Sequence, residues 1–181
     1  LDSDSELVNP GVLRRALEIL DGTDGIGAIG GEMVPDAEGG LQCRVKRHRP
    51  NGETFSVMLR GDVHLEPCDY IPTCNCLVRR DLVEAWGGFD PALFIYGEDD
   101  ELGLALRARG FSCLFDTRLT VAHRITGTAR KPALWMSNRN RLRVAVINFP
   151  ALRVAGMPLW ELREVVRVDN LRILAGRVET P

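Results

Sequence analysis

The chain has 181 residues, 45% of them hydrophobic and 27% charged, with a formal net charge of −2. It is long enough to bury one full core, its charge gives no general reason to expect nucleic acid as a partner, and no apolar run is long enough to span a bilayer. Five cysteines are an odd number and too few for a disulfide scaffold, so free thiols in a reducing cytoplasm are expected and no secretory leader is expected.

In chain order, Leu1-Asp2-Ser3-Asp4 reads as the end of a buried strand, with both carboxylates on one side of the extended backbone. Acids at the carboxyl end of a strand in an open α/β sheet suit a hard divalent ion that bridges to phosphates. Starting on such a strand end, the chain reads as a piece of something longer. Asn9 is expected to cap a helix with Pro10 at its first position and Leu13, Ala16, Leu17 and Leu20 on its apolar face, stopping at Asp21-Gly22. Ile26 to Val34 reads as a buried strand of a mainly parallel sheet. From Pro35 to Pro67 two short alternating segments, near 41–47 and 55–59, suggest a flap or edge. Its basic group Arg44, Lys46, Arg47, His48 and Arg49 either faces phosphates or is a solvated strand face.

A strand is expected over 70–78, then a short helix to Trp86 with Asp81 as its cap. Cys68, Cys74 and Cys76 would give three metal ligands, but no fourth has the spacing of a zinc site. Gly87-Gly88-Phe89-Asp90 reads as a structural turn. Tyr96-Gly97 leads into four consecutive acids, Glu98, Asp99, Asp100 and Glu101, on the first turn of a helix that ends near Gly110. The helix dipole favours acids there, yet four in a row are costly without a cation or a proton among them. Two short β segments follow, over 111–115 and 118–122, separated by an Asp116-Thr117 turn and closed by His123. Helices are then expected over 132–148 and 158–175. From Arg139 to Pro181 eight arginines face four acids, a pattern that either lies on an anionic membrane surface or packs back on the sheet.

The succession Asp2-x-Asp4, Leu77-Val78-Arg79-Arg80, Gly87-Gly88-Phe89-Asp90, Glu98-Asp99-Asp100-Glu101-Leu102, Arg107-x-x-Gly110 and His123 resembles the glycosyltransferase family 2 pattern, and Arg139-Asn140 resembles the Arg-Asn of that family's next helix. The likeness spans residues 1 to about 148. It implies a GT-A fold, an α/β domain around a mostly parallel sheet, as a partial catalytic domain over 1–148. An amphipathic helical extension over 149–181 follows it.

The resemblance further implies an inverting glycosyltransferase, of hexosyl or deoxyhexosyl type, that uses Mg²⁺ or Mn²⁺ and a nucleotide-diphosphate-sugar donor; the isolated chain is expected to transfer sugar poorly or not at all. A glycan or lipid-linked glycan acceptor would suit cell-envelope polysaccharide or glycolipid synthesis. The setting would be the cytoplasm, with peripheral contact at the inner face of the plasma membrane. By position, Asp2 and Asp4 match the donor- and metal-binding pair, His123 the histidine that completes the metal site, and Asp99 the catalytic base. Glu98 and Glu101 match acids that position the acceptor or the loop, and Asp100 takes the motif's variable slot. Cys74-Asn75-Cys76 departs from the small residues of many relatives. The alternative is a non-catalytic module of the same fold, which has no physical need to keep Asp99, Asp4 and His123. An α/β hydrolase would need a nucleophile elbow that is absent.

Overall fold

The computed structural model describes residues 5–8, 10–35, 44–49, 54–59, 63–123 and 134–155. Two long strands form the centre: β2 (Ile26–Pro35) and β7 (Ser112–His123) run parallel, from Ile26 beside Ser112 to Pro35 beside His123. Three shorter strands pair antiparallel around them. β6 (Cys76–Val78) lies outside β2, while β5 (Leu65–Cys68) and β1 (Ser5–Leu7) share the other edge of β7. β3 (Arg44–His48) and β4 (Thr54–Met58) form a separate hairpin.

Strand alternation divides the core between two faces. Leu114 and Ile29 pack under α1 (Gly11–Gly22) with Val12, Ala16 and Leu20. On the opposite face Cys113, Phe115 and Ala28 meet Leu82 of α2 (Arg80–Trp86) and Leu102 and Leu106 of α3 (Glu98–Ala108). α4 (Leu134–Asn148) closes on α3 through Val144, Leu104 and Leu93, and the short α5 (Ala151–Ala155) follows it.

Several expectations need correcting. α1 starts at Gly11 with Pro10 as its N-cap, Asn9 lies outside the described residues, and the buried stripe is Val12, Ala16 and Leu20; Leu13 and Leu17 remain exposed. The expected strand over 70–78 is an isolated bridge at Tyr70, a 3₁₀ turn over Thr73–Asn75 and the three residues of β6. Asp81 sits in the first turn of α2 without capping it by its side chain. The expected helix over 158–175 lies outside the described residues, and none of the described helices is long and apolar enough to cross a membrane.

The expected turn at Asp116 is a bulge inside one continuous strand. Between Gly31 beside Asp116 and Met33 beside Val121, β7 takes five steps while β2 takes two. A side chain on Gly31 would overlap the carbonyl oxygens of Asp116 and Leu119, so only glycine allows this approach. Asn75 donates to the carbonyls of Glu32 (3.0 Å) and Leu119 (2.8 Å), pairing groups that the bulge removes from the ladder. Asp116, with no exposed side-chain surface, accepts from Arg15 Nε (2.8 Å), Arg118 Nε (2.9 Å) and the Arg118 backbone N–H (3.0 Å). Burial raises its carboxyl pKa, but the two arginines outweigh burial and hold it below the usual range.

Candidate active site

The acidic motif is presented by a loop that the chain holds in an uncommon backbone shape. Phe94 (φ 58°), Tyr96 (φ 70°) and Gly97 (φ 90°) all lie in the left-handed region, which costs a non-glycine residue about 1–3 kcal/mol. What holds them is Asn140 of α4, whose side chain is fully buried. Its Nδ2 lies 2.7 Å from each of the carbonyl oxygens of Leu93, Ile95 and Tyr96, so its two hydrogens serve three acceptors. Arg139 steadies the amide by donating to its Oδ1 from Nη2 (2.7 Å) and Nε (2.9 Å), and it also reaches the Ala92 carbonyl at 2.8 Å. The family-like Arg-Asn pair is therefore a clamp on the loop that starts α3.

All four acids occupy the first turn of α3, as expected, but they face different surroundings. Asp99 is partly buried. Burial first, then the charges of Asp100 and Glu98, push its carboxyl up to about 7, against the opposing donation of the Asp100 N–H to Oδ1 at 2.9 Å. Glu98 lines an open groove of about 430 Å³ with Thr73, Phe89, Asp90, Pro91 and the strongly exposed Phe94. Glu101 points inward and is 6% exposed. Its pKa is raised by burial and then by Asp90, whose own carboxyl is held low by Arg143 Nε at 2.6 Å and the Ala92 N–H at 2.9 Å. Glu101 thus supports the joint between the Gly-Gly-Phe-Asp turn and α4. Gly87 and Gly88 sit at positive φ and Phe89 packs edge-on to Trp86, which is the structural role read for that turn.

Asp100, in the motif's variable slot, has a partner from another element: its Oδ1 lies 3.1 Å from Nε2 of His48. The basic group of β3 is not a wholly solvated strand face. Arg47 donates to Glu66 at 2.8 Å, Lys46 reaches Ser56 Oγ at 3.1 Å, and His48 turns inward.

Asp2 and Asp4 lie outside the described residues. His123 ends β7, half-buried, and its register partner is Ser5, the residue that follows Asp4. Among the described residues no three His, Cys, Asp or Glu side chains gather around a metal position, so Cys68, Cys74 and Cys76 do not form one. These three and Cys113 are free thiols, and burial pushes Cys76 and Cys113 up to about 12.

A central parallel strand pair with helices on both faces and an acid-rich helix start beside an open groove define an α/β domain with a candidate site at the start of α3. The fold is similar to that of a solved structure described as "Crystal structure of GalNAc-T7 with UDP, GalNAc and Mn2+", with a TM-score of 0.63 and 14% identity over 81% of this chain and 30% of that one. The match identifies the fold as GT-A-like. The family model "Glycosyltransferase like family 2" matches residues 1–146, and the chain belongs to that family. No curated protein matches it in sequence.

Proposed function

We propose that this chain carries the base and the metal-side residues of an inverting, metal-dependent glycosyltransferase that moves a sugar from a nucleotide-diphosphate-sugar to an acceptor hydroxyl. The observation that carries the reading is Asp99: a carboxylate pushed up to about 7, at a rigidly held helix start, beside an open groove. A general base works best when its pKa lies near the working pH, and a positioned one contributes about 10²- to 10⁴-fold.

The acceptor enters along the Phe89–Phe94 groove, its hydroxyl hydrogen-bonded to Glu98 or Asp99. Asp99 takes the hydroxyl proton as the oxygen bonds to the anomeric carbon. The bond from that carbon to the diphosphate oxygen breaks on the opposite face, and the nucleoside diphosphate leaves with the electron pair. The configuration at that carbon inverts. Glu101 keeps the loop and helix start in place from beneath.

Asp4, Asp2 and His123 would hold the divalent ion. The two carboxylates are oxygen ligands of the kind that Mg²⁺ and Mn²⁺ take, and His123 pairs with Ser5, the residue that follows Asp4 in the sequence. When bound, the ion neutralises charge that builds on the leaving diphosphate. A setting in cell-envelope polysaccharide or glycolipid synthesis, at the cytoplasmic face of the membrane, accords with Val146 and Ile147, which stand exposed on the arginine-bearing α4.

The test uses the full-length protein with Mg²⁺ or Mn²⁺ and a panel of nucleotide sugars. Asp99→Asn abolishes turnover while donor binding persists, His123→Ala weakens the metal dependence, and NMR of the product gives the inverted anomer. Unchanged turnover in Asp99→Asn favours the non-catalytic module, and a retained anomer refutes the inverting mechanism.

A further inference from the structure

We propose that His48, at the end of the β3–β4 hairpin, is a positioning residue that sets the proton affinity of Asp99 by holding the neighbouring Asp100. The inference deepens the reading of Asp99 as the base and rests on it for its catalytic meaning.

The hairpin is fastened to the helix start at several points. The His48 backbone N–H donates to Asp69 Oδ2 at 2.6 Å, the Asp69 N–H donates to the Lys46 carbonyl at 2.8 Å, and Lys46 and Tyr70 form a β-bridge. Arg107, from the far end of α3, donates to Asp69 Oδ1. Held in this way, the imidazole lies against the Tyr70 ring, with centroids 5.1 Å apart, and its side chain is only 4% exposed. Its Nε2 meets Asp100 Oδ1 at 3.1 Å, and among the described residues Nδ1 has no hydrogen-bond partner. A carboxylate can only accept, so Nε2 is the donor in this pair. A buried side chain with one productive contact, made to the residue beside the base, is more than strand decoration.

The consequence for Asp99 follows from Coulomb's law. Asp99 is faced by Glu98 and Asp100 from its own helix, by Tyr70 ahead of the 3₁₀ turn and by Cys76 of β6. His48 itself is faced by Asp100, Asp69 and Tyr70. A donor on Asp100 draws its charge away from Asp99 and fixes the rotamer. Without that donor, Asp99 feels the whole charge and keeps its proton to higher pH. With Asp100 neutral, it loses the proton earlier.

The experiment compares His48→Ala, His48→Gln and Asp100→Asn in the full-length enzyme by two readouts. One is the acidic limb of the pH profile of kcat/KM. The other is a ¹³C carboxyl NMR titration of Asp99, assigned with Asp99→Asn. The Asp99 midpoint should rise by about half to one pH unit in His48→Ala, which costs about two- to fivefold of the active form at pH 7. It should fall in Asp100→Asn and stay at the wild-type value in His48→Gln, whose amide donates from the same place. If His48→Ala does not fold, the double variant His48→Gln/Asp100→Asn must match Asp100→Asn alone. An NMR midpoint that does not move in His48→Ala, or does not fall in Asp100→Asn, overturns the proposal. Activity lost equally at every pH with an unmoved midpoint does the same. Midpoints that move without the rate profile following support the coupling and refute Asp99 as the base.

Discussion

Asp99→Asn offers a test of the site that needs no substrate. Desolvation and two neighbouring acids raise the Asp99 carboxyl from an ordinary 3.8 to about 7, so the folded chain binds a proton that the unfolded chain releases. The sign follows directly. Below about pH 4 both states are protonated and the group costs nothing, and the cost then grows with pH until it is complete above about 7. Three pKa units correspond to about 4 kcal/mol as a ceiling, and the solvent that reaches this partly exposed group reduces it to roughly 2 kcal/mol. An asparagine has the shape of the protonated acid and carries no charge. The variant should therefore be more stable than wild type at pH 8, raising Tm by roughly 4–8 °C in a chain of this size, and should match it near pH 4. Thermal unfolding by circular dichroism across pH 4–8 measures the difference. A Tm at pH 8 equal to or below wild type would mean that Asp99 ionises at no cost, and the argument for a tuned base would fail.

Three further substitutions probe the supports of the site. Asn140→Ala strands three loop carbonyls and frees Phe94 and Tyr96 from their left-handed backbone; it should cost about 3 kcal/mol by denaturant melting and lower kcat by about 10²-fold while donor Kd holds. Gly103→Ala drives a methyl group into the Asp69 carbonyl and the Tyr70 Cβ; it should cost about 1–3 kcal/mol and move the pH profile in the same direction as His48→Ala, because α3 shifts away from the hairpin's anchor. Asp116→Asn leaves Arg15 and Arg118 without their anion and should cost about 1–3 kcal/mol at pH 7. Because the folded pKa of Asp116 is depressed, its contribution is present above the ordinary aspartate range and is lost as pH falls through the folded value, so the Asn deficit in Tm should narrow below about pH 4.

Much of this architecture is legible in local pattern. The apolar run of β2, the acid-started and glycine-ended α3 and the α4 segment carry signals within their own residues, and each forms where expected. Other features depend on contacts that local pattern does not carry. α1 is amphipathic with two adjacent apolar stripes, and only packing on Ile29 and Leu119 selects Val12, Ala16 and Leu20 over Leu13 and Leu17. β5 contains a proline and four residues, and it exists because β7 offers it an edge. Asn140 could be flagged through family likeness, but its role could not, since its three partners are backbone carbonyls and carry no residue identity. His48 lies 52 residues from Asp100 inside a basic run, so periodicity points to a strand face and gives no sign of the acid it meets.

The puzzle of four consecutive carboxylates resolves through helix geometry. Successive residues on a helix are turned by about 100°, so a run of four cannot share one environment. Glu98 goes to the groove, Asp100 to the imidazole of His48, Glu101 into the joint with Asp90, and Asp99 into the partly buried position between them. The counter-charge is therefore local and divided. Asp100 has a hydrogen-bond donor, whereas Asp99 and Glu101 are both driven towards holding a proton, for which burial is the first cause in each case. No cation need enter the cluster. A carboxylate whose proton affinity lies near the working pH, so that it is ionised when the acceptor arrives and can take its proton, is what the proposed role of base asks of Asp99. The same crowding that makes the motif costly to fold is thus what raises Asp99 into the working range of a base.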